Sequence, residues 1–129
     1  MTAPNLAGYK AYQNNKYQTA SPHRLILMLY NGAIQFAGNA VQAIQQGNIS
    51  DANKYIQKTQ DIVYELLSSL NVKQGGELAR NLQNLYFYVI DRLIEANLKK
   101  QEEPLHEAIK IISEIKSSWD EIGRRGTLG

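Results

Sequence analysis

Apolar residues recur at intervals of three and four through most of residues 21–123, and this spacing decides what the chain can fold into. Such a repeat follows the 3.6-residue turn of an α-helix, whereas a half-buried strand needs strict alternation. Gly47, the Gly75–Gly76 pair and the acidic stretch before Pro104 divide the repeat into four long segments. Because short connections make consecutive helices antiparallel neighbours, the pattern predicts an all-α, antiparallel four-helix bundle.

Local signals indicate where the helices begin and which faces they bury. Ser21 followed by Pro22 predicts the first start, since serine accepts an unpaired N–H and proline at the first position loses no hydrogen bond. Ser50 and Asp51 are predicted to cap the second helix, and Asn71 to Gly76 forms a break before the third. The predicted inner stripes lie within residues 25–44, 52–70, 78–96 and 105–122, and that of the third segment includes Leu78, Leu82 and Leu85.

The ends of the chain fall outside this repeat. Residues 1–20 are rich in Asn, Gln, Thr and Tyr, and they are predicted to form a short cap helix or a mobile N-terminal arm. Residues 124–129 are predicted to be a frayed tail. The length of 129 residues suits one domain, with the bundle at residues 21–123.

Composition excludes several classes of protein. The chain has no cysteine, which excludes a disulfide framework, a Cys-ligated metal site and a thiol nucleophile. Its longest apolar run, residues 25–30, is far shorter than the ~20 residues of a membrane span, and the first twenty residues lack the apolar core of a signal peptide. A net charge of +2 is too small for a duplex-binding domain. We therefore expect a cytoplasmic protein that neither inserts into membranes nor binds nucleic acid.

The sequence gives little support for a catalytic site or a metal-binding site. Glu103 and His106 have the Glu-x-x-His spacing of a carboxylate-bridged di-metal bundle, but the other histidine, His23, lacks a matching acid. Ser21 and His23 do not suggest a catalytic triad, because no acid precedes Asp51. The sequence therefore predicts a protein without catalytic residues, metal or cofactor.

The apolar stripes are wider than a four-helix core requires. Residues 25–30 are apolar without interruption, and Leu66, Leu67 and Leu70 cover more than one inward arc of their helix. Tyrosine is also over-represented, with eight Tyr against two Phe, and its amphipathic ring is favoured at binding surfaces. The surplus apolar surface must be covered by the N-terminal arm, a second copy or a partner helix.

Several motifs occur in an order and spacing that resemble a known family. They are Tyr12, the Thr-Ala-Ser-Pro motif at residues 19–22, the apolar run at residues 25–30, Gly32 with Ala33, residues 75–82, Leu85 with Tyr86, Tyr88, Leu93, Ala96 with Asn97, and Trp119. Over residues 5–122 the chain resembles the FliS family, the flagellin-specific export chaperones. It departs from the family pattern at Asn31, where an acid is usual.

The resemblance implies a cytoplasmic helical bundle that binds the disordered C-terminal segment of flagellin. Binding of this kind prevents premature polymerisation and keeps flagellin competent for type III export, with the chaperone–client complex meeting the flagellar export gate. An amphipathic client helix suits a hydrophobic groove, and no ATP is needed because binding alone shifts the client away from self-assembly. The alternative is a structural homo-oligomeric bundle without a client, such as a homodimer.

For the client groove we predict residues at the edges of the apolar stripes together with two tyrosines of the arm. The predicted client-binding residues are Tyr9, Tyr12, Leu25, Ile26, Leu29, Tyr30, Ile62, Leu66, Leu82 and Tyr86. Each bundle residue in this set is equally compatible with a place in the core. Alanine substitution separates the two interpretations, because a groove residue lowers affinity and a core residue lowers the melting temperature.

The arm carries its own prediction. Leu6, Tyr9 and Tyr12 are spaced three and three, so a short helix would place them on one face. We predict that this face covers part of the groove in the free protein and leaves when the client binds. The alternative makes Tyr9 and Tyr12 direct client contacts.

Overall fold

A computed structural model describes residues 21–124, with side chains described from residue 21 to residue 121. It contains four helices, α1 (Pro22–Gln45), α2 (Ile49–Ser69), α3 (Val72–Lys99) and α4 (Glu103–Arg124). Within this range no helix combines the length and the apolar character that a membrane span requires. The predicted arm, residues 1–20, and the last five residues of the predicted tail lie outside the described residues.

The helices form a closed ring of neighbours. α1 packs against α2 and α4, and α3 packs against the same two helices, so that α1 and α3 face each other across a diagonal. The end of one helix contacts the start of its neighbour, as in antiparallel packing. Asn97 near the end of α3 donates to Asn53 near the start of α2 at 2.8 Å. Gln45 at the end of α1 donates to Glu102, just before α4, at 3.0 Å. The predicted all-α, antiparallel four-helix bundle is confirmed.

One continuous core runs along the bundle axis. The largest fully buried side chains include Tyr30, Ile56, Ile62, Leu66, Leu93, Leu105 and Ile112. On α1 the buried positions Ala33, Ala37 and Ala40 are small, which allows its neighbours to approach closely. Thr59 is a buried polar residue of the bundle, and its hydroxyl donates to the Tyr55 carbonyl at 2.8 Å, so its side chain is not left unpaired.

The first helix start is as predicted and the second is not. Ser21 is extended and its Oγ accepts from the Arg24 N–H at 3.2 Å, with Pro22 opening α1. The predicted cap of α2 at Ser50 is wrong, because Asn48 is the cap and its side chain accepts from the Asp51 N–H at 3.0 Å. The shift occurs because the chain leaves α1 through Gly47, whose φ of +72° lets it turn sharply into Asn48.

The glycine pair is a kink inside α3 and not a loop before it. Asn71 caps the helix early, its side chain accepting from the Gln74 N–H at 3.1 Å, and one turn forms before Gly76. Gly76 has φ 60° and ψ −136°, angles that a residue with a Cβ rarely adopts, and the long helix continues beyond it. The kink therefore sets the direction in which the start of α3, including Leu78, meets α4.

Two glycine substitutions test this account in opposite directions. Gly76→Ala should lower the free energy of unfolding by about 1–3 kcal/mol, because alanine is strained at these angles. Gly38→Ala, within α1 and with nothing within 4 Å of the added Cβ, should raise it by about 0.5–1 kcal/mol. Urea denaturation followed by circular dichroism measures both. Equal effects of the two substitutions would contradict a kink that depends on Gly76.

Candidate functional site

Two apolar cavities open at the end of the bundle where α1 begins and α4 ends. The larger, about 330 Å³, lies between α3 and α4 and is called the α3/α4 cavity. The smaller, about 240 Å³, lies between the start of α1 and the end of α2 and is called the α1/α2 cavity. Tyr30 and Trp119 line both. Clustered apolar cavities open to solvent are typical of a binding site.

The α3/α4 cavity is lined mainly by aliphatic side chains. α3 contributes Leu78, Leu82 and Leu85, which share one helix face at intervals of four and three. α4 contributes Ile111 and Ile115 from the facing side. Leu78 is 67% exposed and Leu85 is 39% exposed, so this face of α3 is only partly covered by the bundle. Such a face offers an apolar partner surface that water now contacts.

The α1/α2 cavity is smaller and has a more polar rim. Ile26 from α1 and Leu70 at the end of α2 supply its apolar walls, and both are half-buried. Pro22 and His23, from the first turn of α1, form its edge. This cavity therefore lies directly beside the point where the chain enters the bundle.

A buried tyrosine pair stands behind the cavities. The Tyr30 and Tyr86 hydroxyls are hydrogen-bonded at 2.7 Å, joining α1 to α3 across the bundle diagonal. Burial raises the pKa of Tyr30, and the neighbouring Tyr86 raises it further. Burial also raises the pKa of Tyr86, although the hydrogen bond with Tyr30 acts in the opposite direction. Both hydroxyls therefore stay neutral, with one donating and the other accepting.

His23 and Trp119 close the outer side of the same region. The indole Nε1–H of Trp119 donates to the His23 carbonyl at 3.0 Å, and His23 Nε2 lies 2.6 Å from the Trp119 carbonyl. Their rings stack at 5.3 Å between centroids and within 5° of parallel. The pair thus ties the first turn of α1 to the end of α4 by two hydrogen bonds and a stacked contact.

The predicted client-binding residues fall into three groups. Leu29, Tyr30, Ile62, Leu66 and Tyr86 are buried in the core, whereas Leu25, Ile26 and Leu82 are half-buried, and Tyr9 and Tyr12 lie outside the described residues. Among them Tyr30, Ile26 and Leu82 line a cavity. Burial favours the core interpretation for the first group, while the second group has surface available for a partner.

Most residues that line the cavities were not predicted to contact a client, among them Leu78, Leu85, His23 and Trp119. The spacing of the two leucines was visible, but it predicted that they face the core. His23 and Trp119 are 96 positions apart, and no local pattern in the sequence relates them.

The Glu-x-x-His candidate lies at the opposite end of the bundle. His106 is hydrogen-bonded to Glu102 at 3.0 Å on the surface, and not to Glu103. The contacts with His106 and Gln45 lower the pKa of the Glu102 carboxyl. Within the described residues no group of three His, Cys, Asp or Glu side chains is placed to hold a metal ion.

These features define a class of protein: a helical bundle whose apolar cavities, open at one end, suit an apolar segment of another polypeptide. Comparison with known families makes the assignment specific. Residues 5–126 match the FliS family, described as Flagellar protein FliS, and the chain belongs to that family.

Relatives from distant bacteria agree with this assignment. The chain is 38% identical over 119 residues to the flagellar secretion chaperone FliS of Vibrio cholerae serotype O1, covering 92% of this chain and 88% of the relative. It is 35% identical over 124 residues to the protein of the same name from Campylobacter jejuni, covering 96% of both. With that of Bacillus subtilis the identity is 36% over 111 residues, or 86% of this chain and 82% of the relative.

The predicted family is confirmed, and with it the role of an export chaperone. That role is non-enzymatic and implies a client protein. The structure supplies what such a role needs physically, which is apolar surface that a client can cover.

A double-mutant cycle tests the tyrosine pair behind the cavities. Tyr30→Phe and Tyr86→Phe should each lower the free energy of unfolding by about 1–3 kcal/mol, because each leaves a buried hydroxyl without its partner. The double variant should cost less than the sum of the two single ones. Tyr64→Phe, at a position 50% exposed, is the matched control and should change little. Additive effects in chemical denaturation would mean that the hydrogen bond contributes nothing.

Proposed function

We propose that this protein binds the disordered C-terminal segment of flagellin in the cytosol, prevents its premature polymerisation and carries it to the flagellar export gate. The observation that carries the proposal is the pair of apolar cavities at one end of the bundle, in a chain that belongs to the FliS family. The relatives' shared name, flagellar secretion chaperone, supports the same role.

The chemistry of the cavities fits a client of this kind. A segment that polymerises through an amphipathic helix has an apolar face that must be covered while it is still a monomer. The Leu and Ile side chains of the α3/α4 cavity offer substitute contacts of the same character. Since the client becomes ordered as it binds, part of the gross interaction energy is lost to entropy, and a large apolar contact is required.

We assign the first client contacts to side chains that are both apolar and accessible. These are Leu25, Ile26 and Leu82 from the sequence-based prediction, with Leu78 and Leu85 added. Leu29, Ile62 and Leu66 stay predictions, and they act as contacts only if the client opens the core. Tyr30 and Tyr86 are proposed to support the cavity wall from behind.

Calorimetric titration with a C-terminal flagellin segment tests the proposal. Leu78→Ala and Leu82→Ala should each weaken binding by about 1.5–3 kcal/mol, tenfold or more in Kd, because each removes a side chain that the client buries. Leu98→Ala makes the same chemical change at an 81% exposed position far along α3 and should leave affinity unaltered.

Two results would contradict this proposal. If the titration releases no heat and circular dichroism detects no gain of helix, the flagellin segment does not bind and the proposal is wrong. A homo-oligomer that persists on dilution in light scattering, and that the client does not dissociate, would favour the structural bundle. The exposed side chains of Phe87, Ile94 and Leu98 on α3 are the surface on which that alternative depends.

We also propose that residues 1–20 cover part of this site in the free protein. The arm joins the bundle at Ser21, and the next two residues, Pro22 and His23, already form the edge of the α1/α2 cavity. If this segment is helical, the spacing of Leu6, Tyr9 and Tyr12 places them on one apolar face. Because a covered site is competent for only a fraction of the time, the arm should reduce the apparent affinity for client.

Deletion of residues 1–17 should therefore tighten client binding in the calorimeter and increase aggregation of the free protein. If Tyr9 and Tyr12 instead contact the client directly, the same deletion weakens binding and leaves solubility unchanged. The double variant Tyr9→Ala, Tyr12→Ala in the full-length chain should change client affinity in the same direction as the deletion. This variant keeps the polar residues of the arm and so controls for their loss.

A further inference from the structure

Trp119 and Tyr30 are the walls that the α3/α4 and α1/α2 cavities share. The two walls differ in how firmly they are held. Tyr30 is 1% exposed and is fixed from behind by Tyr86. Trp119 is half-buried, lies near the end of α4 and is restrained on its outer side by His23. If one wall moves, it is therefore the indole.

The bonds between His23 and Trp119 are reciprocal, since each side chain is bonded to the backbone carbonyl of the other residue. A carbonyl only accepts, so His23 carries a proton on Nε2 and donates it to the Trp119 carbonyl. Rotation of either ring breaks its own hydrogen bond and the stacked contact together. Because the pair is partly exposed, water can hydrogen-bond to the groups that separate, which lowers the free-energy cost of opening.

We propose that the His23–Trp119 pair is a latch between the two cavities. While the latch is closed, they are separate pockets that each accept single side chains. When the indole swings out, they join past Tyr30 into one apolar trough bounded by Ile26 of α1, Leu70 at the end of α2, Leu82 of α3 and Ile115 of α4.

The open trough suits the proposed client better than two separate pockets. An amphipathic helix presents a continuous stripe of side chains at i, i+3, i+4 and i+7, which a partition through the middle interrupts. This inference rests on the proposed function for its ligand, a flagellin helix, but the latch itself is a property of the free protein. Because only open molecules bind, the apparent client affinity is the affinity of the open state multiplied by the fraction of molecules that are open.

Trp119 is the single tryptophan of the chain, so its indole N–H gives one assignable NMR signal. In the free full-length protein this proton should exchange with D2O more slowly than that of a model indole. His23→Ala keeps the carbonyl that accepts the indole N–H but removes the second hydrogen bond and the stacked ring. It should therefore increase the exchange rate about tenfold and tighten binding of the neutral apolar dye N-phenyl-1-naphthylamine by a similar factor. His106→Ala, the same change at the opposite end, is the control and should alter neither.

Unprotected exchange in the unsubstituted protein, or unchanged dye affinity in a folded His23→Ala variant, would overturn the latch. Should His23→Ala fail to fold, Trp119→Phe keeps a ring in place while it removes the Nε1–H. It should tighten dye binding in the same direction, and unchanged dye affinity there would also overturn the latch.

Titration of the same proteins with the flagellin segment separates this inference from the proposed function. Tighter binding to His23→Ala than to the unsubstituted protein supports a latch that gates the client. Equal affinity for both overturns that gating while the chaperone function stands. If neither protein binds the segment, the proposed function fails, and the latch is decided by exchange and dye binding alone.

Discussion

The hydrogen bond between Tyr30 and Tyr86 is the contact on which the open end of the bundle depends. It joins α1 to α3, the two helices that face each other across the diagonal, and it does so with both hydroxyls buried. A polar pair in an apolar core is stable only when both partners are satisfied, so the bond fixes the relative position of the two helices. Tyr30 is therefore the firmly held one of the two side chains that line both cavities.

The two ends of the bundle are built differently, and the difference agrees with the proposed location of the client site. At one end Leu105 and Ala108 are fully buried. There Glu102 is hydrogen-bonded to Gln45 at the end of α1 and to His106 of α4 on the surface. At the other end, Leu78 and Leu85 of α3 line a cavity while partly exposed, and α1 is tied to α4 by the His23–Trp119 pair. Apolar surface left uncovered in this way weakens solubility, which a chaperone tolerates because its client covers that surface.

Binding without catalysis places particular demands on such a site. A non-enzymatic chaperone role offers no chemical step to drive release, so affinity must come from apolar contact and control from competition or conformational change. The arm and the latch would act on the same two cavities, one from outside and one as a shared wall. Either would lower affinity by limiting the fraction of competent molecules, without any loss of contact area.

The sequence by itself determined the family and most of the local structure, apart from the cap of α2 and the position of the glycine kink. Helical spacing, the Ser21–Pro22 start and the stop at Gly47 predicted the bundle, because these signals act within one or two turns of chain. Periodicity also identified the apolar face of α3, but it did not reveal that Leu78 and Leu85 lack a covering neighbour.

Only the tertiary structure decided which apolar side chains are core and which are surface, because burial depends on the helices that pack alongside. The same holds for the contact of His23 with Trp119, 96 residues apart, and for the bond of Tyr30 with Tyr86, 56 residues apart. Such pairs arise from the packing of whole helices, and no local pattern in the chain encodes them.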